Sequence, residues 1–181
     1  MTFFEQVAAF FTSLPAELYV FIISMLPIVE LRGSIPVGAA LGLPFYSNYL
    51  LSIIGNLLPV PFVLLFIPRI LDFLARFKFF RPVVEWLRKK ADKHSKRVLK
   101  DENDETDGKS GRMSRGIFAA LMLFVAIPLP GTGAWTGSLI AALFNLPRKW
   151  SLLAICIGVL ISGCIMTLAS YGVLGFLNFL L

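Results

Sequence analysis

Apolar residues run along this chain in blocks of two lengths, and the lengths predict two kinds of helix. Residues 47–68 give 22 positions without a charge, and residues 151–181 give 31. A bilayer core needs ~20 apolar residues in helix, so both blocks are long enough to span. The other blocks are shorter. Residues 18–29 give 12 positions before Glu30, residues 34–45 give 12 more that carry Pro36 and Pro44, and residues 116–127 give 12 before Pro128-Leu129-Pro130-Gly131-Thr132-Gly133-Ala134-Trp135. A further apolar stretch then leads to Pro147. Half-length segments joined across proline and glycine predict two hairpins, at about residues 17–45 and 115–147. A span follows each, at about 47–70 and 150–180. The competing reading makes each pair one kinked helix that crosses the membrane.

A tip rich in proline and glycine leaves backbone amides that hydrocarbon cannot satisfy, so such a hairpin must be re-entrant and enclosed by other helices. A shift of 103 residues brings Phe21 onto Phe124, Leu26 onto Leu129, Pro27 onto Pro130, Ala39 onto Ala142, Leu43 onto Leu146, Pro44 onto Pro147 and Gly55 onto Gly158. This is an ordered internal repeat. A hairpin plus one span makes an odd number of crossings, so the second copy is inverted, as in many secondary transporters. The expected fold is an all-α integral membrane protein: an inverted repeat of re-entrant hairpin plus transmembrane helix, with a cytoplasmic amphipathic helix. Its parts are residues 1–71, 72–112 and 113–181.

Composition agrees with a membrane protein, since 57% of the 181 residues are hydrophobic, 15% are charged, and the mean hydropathy is +0.78. An ordinary soluble enzyme is excluded. Of 17 basic and 11 acidic side chains, 14 and 8 fall within residues 69–115, so the whole net charge of +6 sits there. A basic loop stays on the cytoplasmic side, which orients the chain. Within it Ile70, Phe73, Phe77, Phe80, Val84, Leu87 and Ala91 recur at helical spacing. Arg88, Lys89, Lys90 and Lys93 are expected to hold this helix on an anionic leaflet, at ~1 kcal/mol each, and not on nucleic acid. No Lys or Arg precedes Arg32, so a cleaved secretory signal is not expected. Cys156 and Cys164 are eight positions apart, too far along one helix to pair, and His94 reads as a solvated residue among lysines.

Glu30 and Arg32 are the only charges between Glu17 and Arg69. Charged groups within a bilayer mark function unless they only pair with each other. In an extended tip the two would point into one cavity, where Glu30 binds and releases a proton and Arg32 holds an anion. Otherwise they form a salt bridge that fixes the tip. The second tip carries no charge, yet Thr132, the flexible Gly131 and Gly133, and a half-helix starting near Ala134 would direct backbone N–H groups at an anion. The alternative is a tight turn under Trp135. Asn56 either lines a polar path or bonds a neighbouring helix. Ser151, Ala154, Gly158, Ser162, Ala169 and Gly172 share one face of the last helix, for close packing within the protomer or in a homodimer. No catalytic, metal-binding or nucleotide-binding signature is present, so no enzyme, cofactor or metal is expected.

Three motifs carry a resemblance: Glu30-Leu31-Arg32-Gly33-Ser34-Ile35-Pro36, Gly55-Asn56 with Pro59 and Pro61, and the run from Pro128 to Trp135 followed by Thr136-Gly137. The chain resembles the putative small multidrug export proteins of bacteria and archaea, which look like distant relatives of the DedA and VTT membrane proteins. The resemblance implies transport in a prokaryotic plasma membrane, and the DedA likeness suggests proton-linked handling of lipid phosphates. The expectation is a proton-coupled secondary transporter, exporter or flippase with a midplane site between its tips. The site would comprise Glu30, Arg32, Gly33, Pro36, Asn56, Pro128, Pro130, Gly131, Thr132, Gly133 and Trp135, for a lipid-linked anion or a lipophilic small molecule. The rival is a non-transporting membrane scaffold or lipid-binding protein. Single cysteines at positions 16 and 45, with Cys156 and Cys164 replaced, should both react with an impermeant reagent from the same side; labelling from opposite sides would turn the hairpin into a span.

Overall fold

The computed structural model describes residues 14–74, 76 and 113–180. The expected amphipathic helix and loop of residues 72–112 fall almost wholly outside the described residues. Within these the chain is helical and has no strand. The helices are α1 (Ala16–Ser24), α2 (Glu30–Ala40), α3 (Phe45–Leu57), α4 (Pro59–Leu74), α5 (Arg115–Ala126), α6 (Ala134–Leu143) and α7 (Arg148–Leu180). Only Leu58 separates α3 from α4, and Phe45–Leu71 is long and apolar enough to cross a bilayer. Arg148–Val173 of α7 is the other such helix among the described residues. The chain forms two compact units, one of Met1–Leu58 with Leu160–Leu181 and one of Pro59–Val159.

In the first unit α1 packs on α2 and α3, and α2 packs on α3. Glu17 lies in the first turn of α1, where a carboxylate meets the positive end of the helix dipole. The helix stops where the Ser24 hydroxyl donates to the Phe21 carbonyl (2.7 Å), and Pro27 prevents its continuation. A turn over residues 25–29 carries Ile28 at 95% exposure. The 9-residue α1 and 11-residue α2 measure about 14 and 17 Å, each near half of the ~30 Å apolar thickness of a bilayer. Gly55 lies against the Phe21 carbonyl and the Ser24 hydroxyl. The tip end of α1 is therefore level with the middle of Phe45–Leu71.

In the second unit α6 packs on α4 and on α5. The Ser114 hydroxyl caps α5 by accepting from Gly116 N–H (3.3 Å). Ile127 turns extended, the conformation that a following proline imposes, and ends the helix. Residues 129–132 then form a type II turn: Pro130 takes the second position, Gly131 the third with φ +82°, and Thr132 N–H donates to the Leu129 carbonyl (3.2 Å). The face that α6 buries consists of Ala134, Gly137, Ser138, Ala141 and Ala142, with Val125 occupying the space a Gly137 side chain would need. Phe118 meets Trp150 edge-on at 6.3 Å. The first turns of α5 and α7 thus lie side by side, and residues 115–147 leave and return at one level.

The ends of α2 and α6, 103 residues apart, are closed by the same pair of backbone bonds. At the end of α2, Leu43 N–H donates to Gly38 O (3.0 Å) and Gly42 N–H to Ala39 O (3.1 Å), with Gly42 at φ +79°. At the end of α6, Leu146 N–H donates to Ala141 O (2.9 Å) and Asn145 N–H to Ala142 O (3.2 Å), with Asn145 at φ +50°. Both are Schellman caps, each followed by a proline that opens the next helix. Glycine and asparagine tolerate the left-handed conformation that the motif requires.

Of the small residues expected to share one face of α7, Ser151, Ala154, Gly158 and Ser162 are buried, whereas Ala169 and Gly172 are exposed. Gly158 lets α7 meet the Met122 carbonyl and Val125 of α5. The outward surface is apolar: Leu50, Ile54, Phe62, Phe66, Leu153, Leu160 and Leu168 are all exposed, as lipid-facing helices require. Gly55→Ala places a methyl group against the backbone of α1 and should lower thermal stability in detergent by about 1–3 kcal/mol. Gly172→Ala meets nothing within 4 Å and should be neutral or stabilising.

Candidate functional site

A polar seam runs inside the first unit. On α3, Asn48, Ser52 and Asn56 recur every fourth residue, so they share one helix face, and all three are fully buried. From α2 the Ser34 hydroxyl donates to Ser52 Oγ (2.8 Å), and Ser52 Oγ donates to Asn48 Oδ1 (3.4 Å). Asn48 Nδ2 donates to the Ile35 carbonyl (2.8 Å) and to the Tyr171 hydroxyl (3.1 Å), which in turn donates to the Leu43 carbonyl (2.6 Å). Gly38 permits this approach, because its missing side chain is the space the Asn48 amide fills.

Glu30 and Arg32 stand at the head of α2. The expected extended tip is not found there, since both lie in the helix and the turn is confined to residues 25–29. Two breakers in their motif are absorbed. Pro36 sits inside α2, where it returns no hydrogen bond to the Arg32 carbonyl and its ring crowds that carbonyl. Gly33 is needed because Val29 occupies its side-chain space. Glu30 is 4% exposed, and Arg32 Nη1 approaches its Oε2 at 3.8 Å. Glu30 also has φ +49°, a left-handed backbone that costs a non-glycine residue ~1–2 kcal/mol. Strain of this kind concentrates at functional sites.

Asn56 is 0% exposed, and neither its Nδ2 nor its Oδ1 has a hydrogen-bond partner. Since Ser52 faces Ser34, one further turn of α3 brings Asn56 level with the turn of α2 that begins at Glu30. Three and five residues on, Pro59 and Pro61 cannot return helical hydrogen bonds to the Gly55 and Leu57 carbonyls, so the long apolar helix is interrupted beside this amide. The first unit thus brings together Glu30, Arg32, Gly33 and Pro36 at the head of α2, with Asn56 beside them.

Pro128, Pro130, Gly131, Thr132, Gly133 and Trp135 belong to the second unit. There Pro128 stops α5, Pro130 and Gly131 shape the turn, and the Thr132 hydroxyl donates to the Ile127 (2.7 Å) and Leu129 (2.9 Å) carbonyls. Gly133 accepts the first bond of α6, from Gly137 N–H (2.7 Å), and Trp135 follows in the first turn. The repeat positions opposite Glu30, Ser34, Ser52 and Asn56 hold Gly133, Gly137, Ile155 and Val159. The positions that correspond to the ionisable pair and the amide thus carry neither a charge nor an amide. Among the described residues no cluster of His, Cys, Asp and Glu is fit to hold a metal ion.

Ser34, Asn48, Ser52 and Tyr171 were not among the expected site residues. Their signal lay in the pattern Asn-x-x-x-Ser-x-x-x-Asn, one polar face within an uncharged run. These features define an α-helical membrane protein with a charged polar seam inside one helix–tip–helix unit. The chain belongs to the family described as "Putative small multi-drug export protein", which matches residues 30–165 and so takes in Glu30, Asn56 and the second tip. No curated protein and no solved structure matches it.

Asn48→Leu removes the bonds to the Ile35 carbonyl, the Tyr171 hydroxyl and the Ser52 hydroxyl and should cost about 1–3 kcal/mol in thermal or denaturant unfolding. Asn56→Leu breaks no bond within the protein and should leave stability unchanged or raised.

Proposed function

We propose that this membrane protein is a secondary exporter or flippase of the prokaryotic plasma membrane, in which Glu30 couples turnover to protons and Arg32 holds an anionic part of the substrate. The observation that carries the reading is the buried Glu30 carboxylate facing the half-buried Arg32 at the head of a half-length helix. A buried ion pair is seldom retained for stability, because an apolar pair of similar size serves as well or better. A carboxyl group held there can gain and lose a proton, while a guanidinium offers a planar fork to a phosphate or carboxylate. Family membership supports export, and the exposed apolar surface supports a substrate that approaches from lipid. Two substrate classes fit this chemistry: a lipid-linked anion, favoured by Arg32, and a lipophilic small molecule, favoured by the family description.

In this reading both hairpins are re-entrant, which the lengths of α1 and α2 and the adjacent first turns of α5 and α7 support. The odd number of crossings in each repeat gives the two copies opposite senses. The basic insert stays cytoplasmic and lies on anionic lipid through Arg88, Lys89, Lys90 and Lys93.

Proteoliposomes loaded with a polyprenyl phosphate or with a lipophilic cation, with and without a pH gradient, test the proposal. Glu30→Gln keeps shape and hydrogen bonding but removes titration, so the variant should fold, bind ligand and lose pH-driven turnover. Arg32→Lys should bind an anionic ligand about tenfold more weakly, through loss of the bidentate fork. Unaltered pH-driven transport by Glu30→Gln sinks the coupling role. Lower stability in each single variant, partly restored by combining Glu30→Arg with Arg32→Glu, favours the scaffold instead.

A further inference from the structure

Asn56 poses a problem that neither lipid nor a second protomer can solve. Its side chain is fully enclosed within the fold, so nothing that docks on the outside reaches it. Both halves of the amide lack a partner, the donor Nδ2 as well as the acceptor Oδ1. Leaving either unpaired in an apolar interior costs about 1–3 kcal/mol. A bare cation would satisfy Oδ1 and leave Nδ2 unpaired, and an anion would do the reverse. Water answers both, because it donates and accepts in one small volume.

The surroundings favour the same ligand. Ser162 of α7 is 1% exposed, and its hydroxyl also has no partner. The helices that carry the two residues pack against each other. Tyr49 of α3 donates to the Leu160 carbonyl (3.2 Å), and Gly163 lies against Tyr49 and Ile53. Lower residue numbers on α3 meet higher ones on α7, since Tyr171 reaches Asn48. The antiparallel register therefore brings Ser162 toward the turn of α3 that holds Asn56. Two enclosed polar groups with unmet capacity thus lie on adjoining helices, with Ser162 beside the turn of α3 that precedes Asn56.

At the other end the seam is closed. Asn48 Nδ2 already donates twice and its Oδ1 accepts from Ser52, so this amide is fully engaged between the Leu43 end and Ser34. An amide in such a grip does not relay protons, whereas water and hydroxyls do.

We propose that Asn56, with Ser162, holds internal water that hydrates Glu30 and carries protons to and from its carboxyl group. Asn56 is then a positioning residue for that group. The inference rests on the proton-coupled reading of Glu30 and adds the means by which a proton reaches an enclosed carboxyl.

Two measurements on the full-length protein test it. In a high-resolution experimental map, ordered water should lie within hydrogen-bonding distance of both Asn56 Nδ2 and Oδ1; an amide paired to protein, or an empty pocket, overturns the proposal. Infrared difference spectra after a pH jump, with Glu30 assigned by comparison with Glu30→Gln, give the rate at which that carboxyl group exchanges its proton. Asn56→Leu should slow the exchange about tenfold or more, and Asn56→Ser, which keeps a hydroxyl and room for water, should retain most of the rate. Exchange in Asn56→Leu as fast as in the wild type overturns this inference and leaves the proton-coupled reading standing. A wild-type Glu30 that shows no protonation change overturns both.

Discussion

Inside hydrocarbon the backbone has no water to lean on, and every interruption of a helix must bring its own hydrogen-bond partners. The placement of polar atoms in this protein follows from that constraint. In the second unit the interruption is small and self-contained, for a single threonine hydroxyl and one type II turn close it. In the first unit the turn closes with backbone bonds, such as Glu30 N–H to the Leu26 carbonyl (3.0 Å), and Ser34, Asn48 and Ser52 bond from helix to helix. They form the seam between α2 and α3.

That division explains why two copies of one backbone pattern differ in chemistry. The caps at Gly42 and Asn145 are alike down to their hydrogen bonds, yet the helices they join carry different faces. One face presents Asn48, Ser52 and Asn56, while its counterpart presents Ser151, Ile155 and Val159. A serine at 151 bonds back to the Pro147 carbonyl (3.0 Å) and needs nothing beyond its own helix. Asparagines cannot do this so readily, and one of the two remains unpaired. The polar load thus falls on the unit that also carries the ion pair.

Much of the architecture was legible in the sequence. Block lengths distinguished the long helices from the half-length ones, and the prolines at 44 and 147 marked where α3 and α7 begin, because hydrophobic length and backbone prohibition are properties of single residues and short runs. The state of Glu30 and Arg32 was less accessible. The sequence placed them in an extended tip, but they lie in a helix that accommodates Gly33, whose side-chain space Val29 fills, and Pro36 in its interior. Such tolerance depends on neighbours across space. The seam was missed for a related reason: serine and asparagine in an apolar run can bond locally or across helices, and only packing decides which.

Gly55 and Gly158 give the fold one more property. Each sets a long helix directly against a carbonyl of the hairpin beside it, Phe21 in one unit and Met122 in the other. Interdigitated side chains act like gear teeth, and moving one helix along another means lifting each tooth over the next. Two backbones in contact at a glycine have a smooth track there. Hairpin and long helix therefore touch backbone to backbone at these two points, and in the first unit the teeth lie elsewhere, in the Ser34–Ser52 and Asn48–Ile35 hydrogen bonds that hold the hairpin in register.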